Sequence, residues 1–302
     1  MINIKHIAIA CMCMILSACN TEKNSKPMVV STIGMIHNIV QEIGKEHVNA
    51  IGLMGPGVDP HLYKASAGDV SALSKANLIF YNGLHLEAKM IDIFESMQKT
   101  KPTVQVTKKI PTNVFLTPPE FAGFHDPHVW FDVSLWIYAT KEVRDGLIEL
   151  DPTHKTDYTK NAEAFIKELT TLHTWVQTQI QTIPKENRIL VTAHDAFGYF
   201  GKAYDMRVVG LQGISTASEA GTHDIQNVTN IIIKNKVRTI FIESSVPVRQ
   251  IKALQAAVKA KGWDVSIGEE LFTDAMGDAN TEEGTYIGMI KHNVNSIVHG
   301  LK

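Results

Sequence analysis

Cysteine is scarce in this 302-residue chain, and its placement matters more than its number. The three cysteines are Cys11, Cys13 and Cys19, all near the N-terminus. Beyond them there is no thiol to build a disulfide framework or a cysteine-rich structural zinc site. Charge imbalance is also lacking. The formal net charge is −2, which gives no electrostatic reason to expect nucleic acid as a partner. No low-complexity tract interrupts the chain. No HExxH helix, no G-x-S-x-G elbow and no P-loop glycine pattern occurs, so the common signatures of zinc proteases, serine hydrolases and nucleotide hydrolases are missing. Apolar content is ordinary at 44%, and the length suffices for two compact domains.

The N-terminus reads as a targeting segment. Lys5 supplies a short basic start, and Ile7 to Leu16 form an apolar stretch of about ten residues, too short to span a bilayer. Leu16-Ser17-Ala18-Cys19 then has the order of a lipobox. In that reading residues 1–18 are a signal peptide that takes Cys11 and Cys13 with it. Cys19 carries the lipid, and residues 19–27 are the lipidated cysteine and a polar tether.

From Met28 onward, strand-like and helix-like segments alternate, which implies parallel sheets with helices on their faces. The first half reads as strands at 28–32, 48–53, 78–81 and 103–106, with helices near 35–45, 66–75 and 89–97. The second half has strands at 189–192, 207–211, 239–242 and 264–267. Its helices lie near 196–204, 224–235, 247–260 and 282–299. Between the halves, Asp151 and Pro152 look like a helix cap followed by proline at the first helical position. Tyr158, Ala162, Phe165, Leu169, Leu172, Val176, Ile180 and Ile183 then recur at steps of three and four. This predicts one long, unbroken helix, because no Gly or Pro falls inside the run. The expected layout is an N-terminal lobe at 28–150, a connecting helix at 151–184 and a C-terminal lobe at 185–302.

Chemistry concentrates where strands end. His61 lies in Gly55-Pro56-Gly57-Val58-Asp59-Pro60-His61-Leu62-Tyr63, and His128 in Asp126-Pro127-His128-Val129-Trp130. His194 follows the run Ile189 to Ala193, and Asp274 lies in Leu271-Phe272-Thr273-Asp274-Ala275-Met276-Gly277. Ligands in open α/β sheets bind beyond the carboxyl ends of the strands. In both Asp-Pro-His triplets the proline stiffens the turn, and the aspartate can orient the loop or the ring. Three imidazoles and one carboxylate make a complete ligand set for a transition metal. Two come from each half, which suggests an ion held between the lobes. Spacing alone does not select three ligands from thirteen histidines, and His125 is an accessory ligand at most.

The segments GPGVDPHLYKAS, NGLHLE, DPHVWFDVSLW, VTAHDAFGYFGKAY, IFIESSVP and ELFTDAMGD closely resemble the zinc/manganese-binding lipoproteins of bacterial ABC importers. The likeness is nearest to the TroA-like members of the cluster A-I metal solute-binding proteins, and it runs from about residue 27 to the C-terminus. It implies two similar parallel-sheet α/β lobes joined by one long backbone helix, with a metal site in the interdomain cleft. It implies that His61, His128, His194 and Asp274 bind one divalent ion, Zn2+ or Mn2+, with Glu243 beside them. It further implies a monomeric, non-enzymatic receptor on the periplasmic side or cell surface, partnered by a membrane permease and its ATPase. Zinc-dedicated relatives often carry a long His-rich acidic loop, whereas residues 108–123 here are short and lack histidine. Manganese-dedicated relatives often have glutamate at the third ligand, where this chain has His194. Two other classes remain to be weighed: a secreted zinc-dependent hydrolase, and a surface adhesin with a structural metal. The lipobox generates a direct expectation. Cys19→Ser blocks lipid attachment and frees the protein from membranes while metal affinity is unchanged. Fractionation and metal titration of the variant check both halves of that statement.

Overall fold

Two short apolar runs, Met28–Ser31 and Leu78–Tyr81, form the centre of the first half. In the computed structural model, which describes residues 26–302 apart from Ala122, Val29, Val30, Ile79 and Phe80 are fully buried. The lipobox, Cys19 and most of the tether lie outside the described residues. The first half contains β1 (Met28–Ser31), α1 (Gly34–Gly44), β2 (Asn49–Gly52), α2 (Ala67–Lys75), β3 (Leu78–Tyr81), α3 (Ile91–Gln98) and β4 (Thr103–Gln105). The strands pair in parallel in the order β2-β1-β3-β4. Burial of β1 and β3 on both faces explains why their sequences run apolar rather than alternate. A reciprocal Ser66–Asp69 capping box starts α2. Asp132 caps α4 (Val133–Leu150) by accepting from the Ser134 amide.

The connecting helix is α5 (Lys155–Gln181), unbroken over 27 residues, or about 40 Å at the standard rise. The stripe from Tyr158 to Ile180 is buried along its whole length, no member more than 4% exposed. The start differs from the sequence expectation. Pro152–His154 form a 3-10 turn, and Asp151 does not cap α5. Its carboxylate instead accepts from His154 Nδ1 at 2.6 Å and from the Tyr158 hydroxyl at 3.1 Å.

The second half contains β5 (Ile189–His194), α6 (Gly198–Tyr204), β6 (Arg207–Gln212), α7 (Thr222–Asn235), β7 (Thr239–Ile240), α8 (Arg249–Ala260), β8 (Ser266–Ile267) and α9 (Tyr286–Leu301). The parallel pairs β5–β6 and β7–β8 are tied by the Phe241 amide, which donates to the Val191 carbonyl at 2.9 Å. β7 and β8 are shorter than expected. Beyond Ile240 the regular ladder gives way to a single bridge between Glu243 and Leu271. α9 starts later than expected, after a 3-10 turn at Glu282–Gly284, because Thr285 caps it through the Gly288 amide.

The two halves share one core. Residues of α1, α4, α5, α6 and α9 join Trp130, Phe241, Leu271 and Met276 in a continuous apolar cluster, while a second cluster lies between β5–β8, α7 and α8. Three buried bonds reinforce the junction. Trp130 Nε1 donates to the Thr273 carbonyl at 3.1 Å, the Tyr286 hydroxyl donates to the Trp130 carbonyl at 2.7 Å, and the Tyr286 amide donates to Asn38 Oδ1 at 3.1 Å. The last helix is thus pinned to the first, and α5 packs on both. Leu169→Ala, at a fully buried position of α5, is expected to cost about 2–5 kcal/mol. Calorimetry should record one shifted transition. A variant that melts in two separate steps would contradict the continuous core.

Candidate metal centre

Four chain segments converge between the halves. His61 sits in the turn after β2, and its amide donates to Asp59 Oδ1 at 2.9 Å. The His128 amide makes the same bond to Asp126 Oδ1 at 2.9 Å, so both Asp-Pro-His triplets form an Asx-type turn. They then diverge. Asp126 Oδ1 also lies 2.7 Å from His128 Nδ1 and orients the ring. Asp59 does not reach the His61 ring, and its Oδ2 accepts instead from the Thr216 hydroxyl of the second half at 2.6 Å.

The His128 turn is held from below. Asn82 Nδ2 donates to the Pro127 carbonyl at 3.1 Å. Asn82 in turn begins a tight left-handed segment with φ of 80° at Gly83, 53° at Leu84 and 70° at His85. The buried Glu87 carboxylate secures it by accepting from the Asn82 and Gly83 amides and the Thr32 hydroxyl, at 2.7, 3.1 and 2.7 Å. The cost of such backbone is met by this cradle.

His194 is the last residue of β5, every residue of which is buried. Its amide and Nδ1 both bond the Glu243 carboxylate, at 2.9 and 2.5 Å. Gly210 of β6 lets the strands close here, since a Cβ at that position would lie 2.5 Å from the Asp195 amide nitrogen. Thr273, beside Asp274, donates its hydroxyl to Glu243 at 3.1 Å.

The result is a tight cluster. The ligand atoms of His61, His128, His194 and Asp274 all lie within 4.8 Å of one another, and among the described residues this is the group of three or more so placed. Asp274 Oδ1 is 3.3 Å from His128 Nε2, and Oδ2 is 3.3 Å from His194 Nε2 and 3.7 Å from His61 Nε2. No member is more than 3% exposed. His194 Nε2 and both Asp274 oxygens are buried without a hydrogen-bond partner. Buried polar atoms are normally paired, and a convergent set left unpaired has the chemistry to hold a cation. With Nδ1 of His128 and His194 directed at carboxylates, each ring turns Nε2 to the centre.

Electrostatics match that arrangement. Burial pulls the His61 imidazole down to about 3. Burial also opposes charge on His128, but the Asp126 and Asp274 carboxylates outweigh it and hold that imidazole up to about 9. His194 is held well above the usual histidine range, because Glu243 and Asp274 overcome its burial. Asp274 is held well below the carboxylate range: burial opposes its charge, but the His194 charge and the close approach of the His128 and His61 imidazoles overcome that desolvation.

The remaining histidines stay apart. His125 is partly exposed, with Nδ1 2.9 Å from the Thr117 hydroxyl and its ring beside Phe115. His47 and His154 stack on each other at the start of α5. His173 lies against Tyr204. Thr216, Asn82, Glu87, Trp130 and Thr273 were not singled out as site residues in the sequence. Asn82 and Glu87 do fall in the NGLHLE motif. Thr216 carries no local signal at all, because its partner is 157 residues away.

Residues 29–300 match the family described as zinc-uptake complex component A, periplasmic. The chain belongs to this family. It is 51% identical to the zinc-binding protein TroA of Treponema pallidum over 92% of this chain and 90% of that protein. It is 42% identical to the manganese-binding lipoprotein MntA of Bacillus subtilis, over 95% of each. The solved structure of the periplasmic zinc-binding TroA of T. pallidum superposes with a TM-score of 0.90 at 50% identity, covering 92% of this chain and 99% of that one.

The raised imidazoles set a pH window. A group held up to about 9 carries its proton at neutral pH in the ion-free site, and an incoming cation must displace it. Apparent affinity for a divalent transition metal should therefore keep climbing as pH rises past neutrality, since His194 is raised as well. Free imidazoles would level off above about 6.5. Asp126→Asn removes the main charge that raises His128 and should make the climb above neutrality shallower, His194 still contributing its part. Titrations across this range measure it, and a wild-type plateau already reached at neutral pH would contradict it.

Proposed function

We propose that this chain is the extracytoplasmic receptor of an ABC importer. It captures one divalent transition-metal ion, Zn2+ or Mn2+, through His61, His128, His194 and Asp274 and delivers it to a membrane permease driven by an ATPase. The observation that carries the reading is the buried, mutually close ligand set, in which His194 Nε2 and both Asp274 oxygens lack a hydrogen-bond partner. Family membership supports it, as do relatives named for zinc and for manganese. In this reading Glu243 and Asp126 orient two of the imidazoles. Residues 28–150 and 185–302 form the two lobes, and 151–184 connects them. The protein acts as a monomer, tethered through lipidated Cys19 at the membrane surface. Among the described residues no helix is long and apolar enough to cross a membrane.

A donor set of three nitrogens and one carboxylate favours zinc on softness, since manganese prefers oxygen. Metal supply in the cell is able to reverse that preference. The hydrolase alternative fits poorly. Catalytic zinc keeps three protein ligands and an open position for water, whereas the four protein ligands here would close the sphere. An adhesin with a structural metal would unfold when stripped of it, whereas a receptor must survive release.

The protein should bind one ion per chain. His61→Ala, His128→Ala, His194→Ala and Asp274→Ala should each weaken binding by about a hundredfold or more, beyond the usual effect of losing an orienting partner. His125→Ala should change little, and circular dichroism should show the metal-free protein folded. Calorimetric titration tests the set. Loss of binding in His125→Ala with His128→Ala unaffected would overturn the assignment.

A further inference from the structure

The turn that carries His61 is held from the opposite half of the molecule. His128 and His194 are oriented by carboxylates of their own halves, Asp126 and Glu243, bonded to ring Nδ1. Among the described residues no carboxylate reaches His61 Nδ1. The support of His61 is through its backbone, whose amide donates to Asp59 Oδ1 at 2.9 Å. The other oxygen of Asp59 accepts from Thr216 Oγ1 at 2.6 Å, in the short range of hydroxyl-to-carboxylate bonds. Thr216 lies in the loop between β6 and α7, and is only 8% exposed. The same turn meets the second half again at Gly57, where a Cβ would lie 3.6 Å from the Ser244 carbonyl. The 213–221 loop is otherwise mostly exposed, with Ile214 and Thr216 as its buried anchors.

We propose that Thr216 is a positioning residue for metal retention: its hydroxyl crosses the cleft, clasps Asp59 and so fixes His61. This deepens the receptor reading and rests on it. The rigid junction through α5 and α9 leaves little room for wide lobe opening. Withdrawal of one surface loop is a smaller movement with the same consequence. When the loop lifts, Asp59 loses its second anchor, the His61 turn slackens, and the ligand whose ring no carboxylate orients through Nδ1 is the first to leave the ion. A membrane partner that engages the 213–221 loop would thereby promote release without touching any ligand.

The test compares Thr216→Val, which keeps the shape and removes the hydroxyl, with Thr216→Ser, which restores it. Zinc dissociation is followed by stopped-flow with an excess of a chromogenic chelator. Thr216→Val should release zinc about tenfold faster, as expected for losing a hydrogen bond to a charged group, with the association rate unchanged. Thr216→Ser should behave as wild type. In a His61→Ala background, Thr216→Val should add nothing. In metal-free protein the His61 amide should exchange faster with deuterium in Thr216→Val than in wild type. Wild-type release and exchange rates in Thr216→Val would overturn the clasp, as would an equal acceleration in the His61→Ala background. A wild-type protein that binds no ion would instead overturn the receptor reading, and the exchange measurement would still judge the clasp.

Discussion

The Asp274 carboxylate is buried with both oxygens lacking a hydrogen-bond partner. An isolated charge in such a place is strongly unfavourable, and only positive charge close by offsets it. Of the three imidazoles within 4 Å of its oxygens, His128 and His194 are raised and supply that charge, and a metal ion supplies it better. Much of the surrounding architecture serves to hold this one arrangement. β5 ends at His194, the Asp-Pro-His turns present His61 and His128, and the Trp130–Thr273 bond fixes the segment bearing Asp274 against the first half. An outer ring of carboxylates, Asp126, Glu243 and Asp59, then orients what the inner group needs.

That arrangement has a mechanical side. Receptors that close around a ligand by hinge motion need flexible strands or loops between their lobes. Here the connection is a helix of 27 residues buried along one full stripe, and α9 returns to pack on the first half. Opening the halves widely would expose Trp130, Tyr286 and Trp136, among the largest buried side chains. Local movement of the turns around the cluster would disturb far less of this core. The three histidines of the cluster also differ in support: carboxylates bond ring Nδ1 of His128 and His194, whereas Asp59 bonds only the His61 amide.

Much of this was legible in the sequence for definite reasons. The α5 stripe is periodic, so its continuity and buried face follow from spacing alone. β1 and β3 are short apolar runs between turn residues. The twin Asp-Pro-His triplets announced stiff turns, and the long family motifs singled out Glu243 as a neighbour of the site. Elsewhere the limits are physical. Asp151-Pro152 has the form of a helix start, yet the Asp151 carboxylate is drawn to His154 and Tyr158. β7 and β8 stop short of the expected bounds, and past them Glu243 keeps a single bridge to Leu271 while its carboxylate bonds His194. Asp59 and Asp126 share a local sequence, yet one meets a ring and the other meets Thr216. Contacts such as Thr216–Asp59 and Trp130–Thr273 join residues far apart in the chain and leave no local pattern.

The central claim is that three imidazoles and one carboxylate, drawn equally from the two halves, surround a single ion. X-ray absorption on protein loaded with one equivalent of zinc addresses it most directly. The account predicts a shell of nitrogen and oxygen only, with outer-shell scattering from three imidazoles and no sulfur. A spectrum requiring fewer than three imidazoles, or a sulfur ligand, would contradict it.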